Sequence, residues 1–225
     1  MNAEEIVSRL LYRDALMLVI DKPAGLPVHP GPRGGETLHR YLDHLRFGLP
    51  RRPEVAHRLD RDTAGCLVLG RHAKALARIG ELFRQGDVEK LYWAIVEGVP
   101  AEDAGVIADP IAPVSRTRSW RMKVDPNGQM ALTHWRVLGR GEGLSWLELA
   151  PVTGRTHQLR VHMAARGWPI LGDPIYGNAS PSDGPRLQLL ARRITVPLYP
   201  KKSPISVKAP VPDHMADSIA RCGAA

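Results

Sequence analysis

The sequence predicts an α+β fold: one domain over residues 1–225, with a mostly antiparallel sheet. Three observations lead there. Glycine and proline are plentiful, 21 and 20 of 225 residues, which suits many short elements joined by turns rather than a helical bundle. Strand-like and helix-like runs are interspersed without regular βαβ alternation. Hairpin punctuation recurs at Asp125-Pro126-Asn127-Gly128 and from Gly139 to Gly143. The chain is long enough to bury a sizeable core, and nothing in it reads as a linker between independent halves.

Taken in order, Ile6 to Tyr12 and Leu16 to Ile20 read as extended runs separated by a turn at Arg13-Asp14. Asp21 to Pro32 carries four prolines in twelve residues and reads as a stiff loop. Leu38, Tyr41, Leu42 and Leu45 recur at helical spacing, predicting a helix over Thr37 to Phe47 with Thr37 as N-cap and Gly48 as stop. Cys66 to Gly70 is an apolar strand. A second helix is predicted over His72 to Gln85, ended by Gly86. Val88 to Gly98 is rich in strand formers, and several strands follow between Val106 and Leu149. Thr153 to Thr156 reads as a turn into a helix ending near Arg166. Leu187 to Val196 and Pro204 to Lys208 are late strands, and Asp213 to Arg221 is a terminal helix. Asn178 to Gly184 is the loop expected to be most mobile.

Composition narrows the function. The net charge of +8 and pI of about 9.9 favour a polyanionic partner, nucleic acid ahead of an anionic membrane. Two cysteines make no disulfide framework: Cys66 reads as a buried hydrophobe, and a reducing compartment is the default. The acidic start, Met1-Asn2-Ala3-Glu4-Glu5, lacks a signal-peptide layout. Apolar runs fall far short of the ~20 residues of a membrane span, so the expected location is the cytoplasm. There is no phosphate loop, dinucleotide fingerprint, zinc-protease motif or nucleophile elbow. His157 and His162, five apart, do not share a helix face as paired ligands do, and read as structural or substrate-contacting. No cofactor and no metal are therefore expected.

Three segments concentrate chemistry. His57-Arg58-Leu59-Asp60-Arg61-Asp62-Thr63-Ala64-Gly65 packs opposite charges against an apolar strand, where unpaired carboxylates resist burial. A surface salt-bridge cluster is the plain alternative. Gly154 to His162 holds Arg155, His157, Gln158, Leu159 and Arg160 around a helix start. If Leu159 and Met163 anchor that helix, one arginine can turn inward and orient a carboxylate. In Lys90-Leu91-Tyr92, the first and last residues of the triplet point the same way along a strand, with Tyr92 as core the alternative. Arg116 to Lys123, with Trp120 among cations, suits a phosphate backbone and an unstacked base, or equally a charged edge strand.

Together these segments resemble the RluA family of RNA pseudouridine synthases. The resemblance is carried by Asp21 to Pro30, His57 to Gly65, Lys90 to Tyr92, Gly154 to Met163 and Gly172-Asp173-Pro174-Ile175-Tyr176-Gly177, in order, across about residues 6–212. Residues 213–225 form a short helix and tail beyond that core. The resemblance implies a mixed, mainly antiparallel central sheet flanked by helices, with an active-site cleft across it. It implies an isomerase that converts uridine to pseudouridine in a tRNA or rRNA stem-loop without a cofactor; apart from the resemblance, a monomer is the expected state. Asp60 matches the nucleophile, Tyr92 the tyrosine that stacks on the base, and Arg160 the basic partner of the aspartate. Arg58 matches the arginine that fills the space left by the flipped base, and His57, Arg155, His157 and Leu159 fall among the expected substrate contacts. Leu190 stands where the family usually has histidine. The short N-terminus leaves no room for the small RNA-binding domain of many relatives. A non-catalytic RNA-binding protein on the same fold is the competing reading, and a hydrolase pairing Asp60 with Asp62 a third.

Overall fold

A computed structural model describes residues 1–30, 34–115, 120–180 and 183–223. In chain order the elements are α1 (Ala3–Ser8), β1 (Leu10–Arg13), β2 (Met17–Lys22), two 3₁₀ turns (Leu38–Arg40 and Leu42–Leu45), β3 (Glu54–Val55), β4 (Ala64–Gly70) and α2 (Ala73–Gln85). Then come β5 (Glu89–Glu97), β6 (Ala104–Ile107), β7 (Ile111–Pro113), β8 (Met122–Val124), β9 (Thr133–Gly141) and β10 (Leu144–Pro151). The last elements are α3 (Gln158–Ala165), β11 (Leu189–Val196), β12 (Ile205–Lys208) and α4 (Asp213–Cys222). They group into two compact units, residues 1–89 with 191–210 and residues 90–190 with 211–225.

In the first unit β2 lies between β1 and β4, antiparallel to both, while β3 pairs with β4 and β12 with β11. Every residue of β4 is buried, and Met17 to Ile20 of β2 are fully so, which explains why both strands read as continuous apolar runs rather than alternating ones. Helix α2 follows its sequence signals. His72 is the N-cap and accepts the Ala75 N–H, and Gly86, at φ 82°, closes the C-terminus. Cys66 is buried, and burial pushes its thiol up to about 12, in keeping with a packed hydrophobe.

In the second unit β5, β10, β9 and β6 form an antiparallel sheet in that order, and β7 pairs with β8. The β9–β10 hairpin turns at Glu142 and Gly143, both at positive φ (53° and 75°), the geometry a two-residue turn requires. Its core gathers Ala94, Val96, Trp135, Val137, Leu147 and Leu149 from the sheet with Leu159 and Met163 from α3. Those two helical residues fix which way α3 faces.

Four sequence expectations are corrected. The run from Ile6 begins as helix, because Asn2 caps it: its side chain accepts the Glu5 N–H at 2.9 Å while the Glu5 carboxylate accepts the Asn2 N–H at 3.1 Å. The helix expected over Thr37 to Phe47 is two 3₁₀ turns, with Thr37 making no side-chain cap bond. A segment this short has little helical stability of its own, so burial of Leu38, Leu42 and Leu45 decides its winding. Helix α3 starts at Gln158, not Thr156, since His157 is left-handed (φ 56°). The turn at Asp125 to Gly128 forms, with the Gly128 N–H on the Asp125 carbonyl, but it returns the chain to a bridge between Gln129 and Ile111 instead of joining two strands. Of the loop from Asn178 to Gly184, residues 181 and 182 lie outside the described residues. No helix among the described residues is long and apolar enough to cross a membrane.

Gly70 shows how tightly α2 seats on β4: a Cβ there would lie 2.7 Å from the Leu76 Cα and 2.9 Å from its N. Both are backbone atoms that cannot swing aside. Gly70→Ala is expected to destabilise the protein by about 1–3 kcal/mol, measured as a lowered urea midpoint at unchanged m.

Candidate active site

The eight residues singled out from the sequence divide between the units: His57, Arg58 and Asp60 in the first, Tyr92, Arg155, His157, Leu159 and Arg160 in the second.

In the first unit, Asp60 opens a tight turn whose Thr63 N–H donates to the Asp60 carbonyl at 3.2 Å. Asp60 is half-buried, Arg58 is exposed, and Leu59 between them is buried at 7% exposure, which pins the backbone between the two charged residues. His57 braces the segment. Its Nε2 accepts the Val68 N–H at 3.0 Å, and its ring lies 4.5 Å from that of Phe83 on α2. The turn is held from beneath by Lys22, the last residue of β2, which is fully buried and stands opposite Gly65. Its ammonium donates to the carbonyls of Pro23 (2.8 Å), Leu26 (2.9 Å) and Arg61 (2.9 Å), and the Arg61 carbonyl also accepts the Gly25 N–H at 2.9 Å. The proline-rich segment is thereby stitched to the Asp60 turn. Asp62 is gripped by Arg61 through both carboxylate oxygens, at 3.0 and 3.1 Å. That geometry suits a brace more than a reacting group.

Burial presses the Lys22 ammonium down to about 8, against the pull of the Asp62, Asp60 and Asp21 carboxylates, which favour the charged form. The ammonium remains the dominant form at neutral pH and keeps all three donors in use.

In the second unit, α3 presents Arg160 inward, at 3% exposure. An inward-facing arginine holding a carboxylate is what the helix pattern suggested, and the carboxylate gripped here is Asp173, itself fully buried. Nε donates to Oδ2 at 2.8 Å and Nη2 to Oδ1 at 2.7 Å. Burial alone would raise the Asp173 carboxyl. The Arg160 hydrogen bonds and charge, with the backbone N–H groups of Ile175 and Tyr176, outweigh that and hold it below the usual range. Above this pair lies Tyr176, its ring 5.2 Å from the Arg160 guanidinium carbon. The Met122 N–H donates to the Tyr176 oxygen at 2.8 Å, leaving the hydroxyl proton to reach His157 Nδ1, also at 2.8 Å.

The turn before α3 is organised by Gln158. Its Oε1 accepts from the Thr153 hydroxyl (2.7 Å) and the Arg155 N–H (3.0 Å), and its Nε2 donates to the Leu132 carbonyl and Thr133 hydroxyl, both at 3.0 Å. Arg155 is exposed, with Nε on the Met130 carbonyl, and Leu159 belongs to the core. His162 lies between the Thr133 hydroxyl and the Asp109 carbonyl, a structural histidine whose pKa burial lowers. Tyr92 is half-buried against the core, opposite Leu149 of β10. Lys90, two residues before it on β5, is held low by burial, and its Nζ would lie 3.8 Å from a Cβ at Gly154. Of the basic patch, Arg116 to Ser119 lie outside the described residues; Trp120 is exposed, Arg121 reaches the Ile175 carbonyl and Lys123 pairs with Asp125.

Sequence reasoning gave no role to Lys22, Gln158, Asp173 or Tyr176. Lys22, Asp173 and Tyr176 lay in quoted motifs, where Lys-Pro-Ala-Gly and Gly-Asp-Pro are the signals, but their partners come from distant segments. Among the described residues, no three His, Cys, Asp or Glu side chains gather to hold a metal ion.

Two measurements follow. Arg160→Met or Asp173→Asn alone leaves a buried partner unpaired and is expected to cost about 3–5 kcal/mol, whereas the double replacement costs less than the sum in a urea double-mutant cycle. For Lys22, between pH ~8 and ~10.5 the unfolded chain holds a proton that the folded chain releases. Its contribution to stability therefore rises with pH across that window, with a slope of about one proton. Lys22→Met abolishes that slope and lowers the melting temperature at pH 7, because three carbonyls lose their donor.

Residues 16–165 match the family model described as RNA pseudouridylate synthase. An uncharacterized RNA pseudouridine synthase of Zymomonas mobilis is 45% identical over 214 residues, covering 94% of this chain and 97% of that protein. Ribosomal large subunit pseudouridine synthase D of Nitrosomonas europaea is 38% identical over 96% of this chain and 65% of its own length. The chain likewise spans 56% of an uncharacterized RNA pseudouridine synthase of Synechocystis, at 39% identity. Among solved structures, Human RNA Pseudouridylate Synthase Domain Containing 4 superposes with TM-score 0.81 at 30% identity, covering 98% of this chain and 95% of that one. Human RNA Pseudouridylate Synthase Domain Containing 1 gives 0.78 at 28% identity, over 93% and 85%. With the motifs in order, the sheet built as in these relatives and the match spanning most of its length, this chain belongs to the RNA pseudouridylate synthase family of isomerases.

Proposed function

We propose that the protein isomerises a uridine to pseudouridine in a tRNA or rRNA stem-loop, in the cytoplasm and as a monomer, with Asp60 as nucleophile. The reaction breaks the bond between the ribose anomeric carbon and uracil N1 and makes one from the same carbon to C5, whose proton is then lost. Atoms and electrons balance within one nucleotide, so side chains suffice: a carboxylate to form the covalent adduct and a neighbouring group to move the proton.

The observation that supports this reading best is the mounting of Asp60. A carboxylate on a flexible surface loop makes a poor nucleophile, because each encounter must first order it. Here the turn is fixed on one side by the Lys22 ammonium and on the other by Leu59 and Thr63, both buried. Tyr92, whose flat ring is held by core packing, serves to stack on the uracil. Arg160 carries five N–H donors, of which two go to Asp173; the same side chain serves in this reading as the basic partner of the Asp60 carboxylate. Arg58, exposed beside Asp60, fills the space vacated when the base leaves its stack, offsetting an unstacking cost of a few kcal/mol. Arg155 and His157 contact the RNA from the turn before α3, with Leu159 anchoring that turn. His57 acts through the backbone it braces.

Asp60→Asn is expected to lower pseudouridine formation by about a thousand-fold or more while RNA affinity stays close to wild type. Tritium release from uridine-labelled transcripts and filter binding measure the two. Full activity in this variant would sink the mechanism. A wild-type protein that binds transcripts but never makes pseudouridine would point to an RNA-binding role on the same fold.

A further inference from the structure

Nearly all of the excess positive charge belongs to the first unit, and residues 191–210 contribute five lysines and arginines with no aspartate or glutamate. The β11–β12 hairpin sorts these by face. Ile194, Val196 and Val207 are buried beneath it. On the other side Arg193 stands directly opposite Lys208 and Thr195 opposite Ser206, the two hydroxyls 3.2 Å apart. Ser206 and Lys208 are exposed, as are Lys201 and Lys202 in the connection, and Arg193 and Thr195 are partly so.

Like charges directly opposite on adjacent strands oppose pairing. An edge strand guarded by charge needs a single lysine, not an arginine facing it. Among the described residues no carboxylate lies within ion-pair distance of Arg193, Lys201, Lys202 or Lys208, whereas Arg46, Arg52, Arg78, Arg136, Arg166 and Arg221 each have one. Lys202 is also held in place. Lys202 lies 5.1 Å from the centre of the Tyr199 ring, and the Tyr199 hydroxyl donates to Asp14 at 3.0 Å. The face has a direction too. It begins level with Cys66, whose sulfur approaches the carbonyls of Arg192 and Val207, and ends beside Asp14, at the end of β4 remote from Asp60. The stretch of β4 from Cys66 to Gly70 spans those ends, about 13 Å.

We propose that this face is a second RNA contact, gripping the phosphate backbone of the stretch flanking the target uridine. It rests on the reading that the protein acts on RNA. Cations and hydroxyls without base-edge readers suit backbone positioning rather than sequence recognition. The face lacks the exposed aromatic or long aliphatic side chains with which a membrane-binding surface enters lipid.

The test replaces Arg193, Lys201, Lys202 and Lys208 by glutamine together. The probe is an unmodified tRNA or rRNA transcript in which the wild-type protein forms pseudouridine. The variant is expected to bind it at least about ten-fold more weakly, and the slope of log affinity against log salt becomes shallower by about two to three. The rate at saturating RNA stays at the wild-type value, and the melting temperature does not fall, since a repulsive pair has been removed. Unchanged affinity and salt slope overturn the proposal. So does wild-type binding to phosphatidylglycerol vesicles that the variant loses while its RNA affinity is intact, which would assign the face to a membrane. A wild-type protein that neither binds nor modifies any transcript fails earlier, and takes the RNA reading down with the inference.

Discussion

A single buried ammonium ties together the parts of the first unit that matter most. Lys22 ends a strand packed on both faces, so its side chain has nowhere to go but inward, and an inward charge must be met by oxygen atoms. Three carbonyls meet it, two from the proline-rich loop that follows and one from Arg61, thirty-nine residues on. Prolines suit that loop because a stiff chain loses little entropy when its carbonyls are aimed at one point. The crowded charges of His57 to Gly65 then have a physical explanation. Arg61 and Asp62 pair with each other, the Arg61 backbone accepts from Lys22, and Asp60 stands at the head of a turn that cannot wander.

The second unit solves a similar problem with a different group. Arg160 and Asp173 are both buried, and their pairing is tolerable only because each oxygen and nitrogen used is well aligned and two backbone N–H groups share the load. Such a pair adds little net stability over an apolar one, but it dictates orientation. It fixes the Gly172 to Gly177 turn against α3, which sets Tyr176 over the guanidinium and within reach of His157. Gln158 plays the matching part at the helix start, using all its donors and acceptors to bind the turn at Arg155 to the strand at Thr133. A rigid frame of this kind is what base recognition and proton movement require, since both fail when groups drift by an ångström.

Much of this was legible before any coordinates. The apolar runs of β2 and β4, the glycine that stops α2 and the glycine-bearing turn between β9 and β10 are local signals, and each formed where expected. The reactive candidates were legible as well, because polar residues packed against apolar strands need a reason to be there. Local signals failed where tertiary burial overrode them. Leu38, Leu42 and Leu45 have helical spacing, yet the pocket that receives them winds the segment as 3₁₀. Asn2 and Glu5 form a capping box that a hydrophobic-period reading passes over, because its information lies in two polar side chains.

What the sequence determined by itself was the family: a basic chain with a run of motifs, among them those that carry Asp60, Tyr92 and Arg160, whose order and spacing point to one family. What only the tertiary structure decided was partnership. Lys22 could have been read as one more surface cation, and Asp173 as part of a turn. Nothing local says that the first is caged by Arg61 or that the second is the carboxylate held by Arg160. The opposition of Arg193 and Lys208 is likewise invisible until β12 folds back on β11 in a particular register. Pairing of charges depends on distance in space, and a sequence records only distance along the chain.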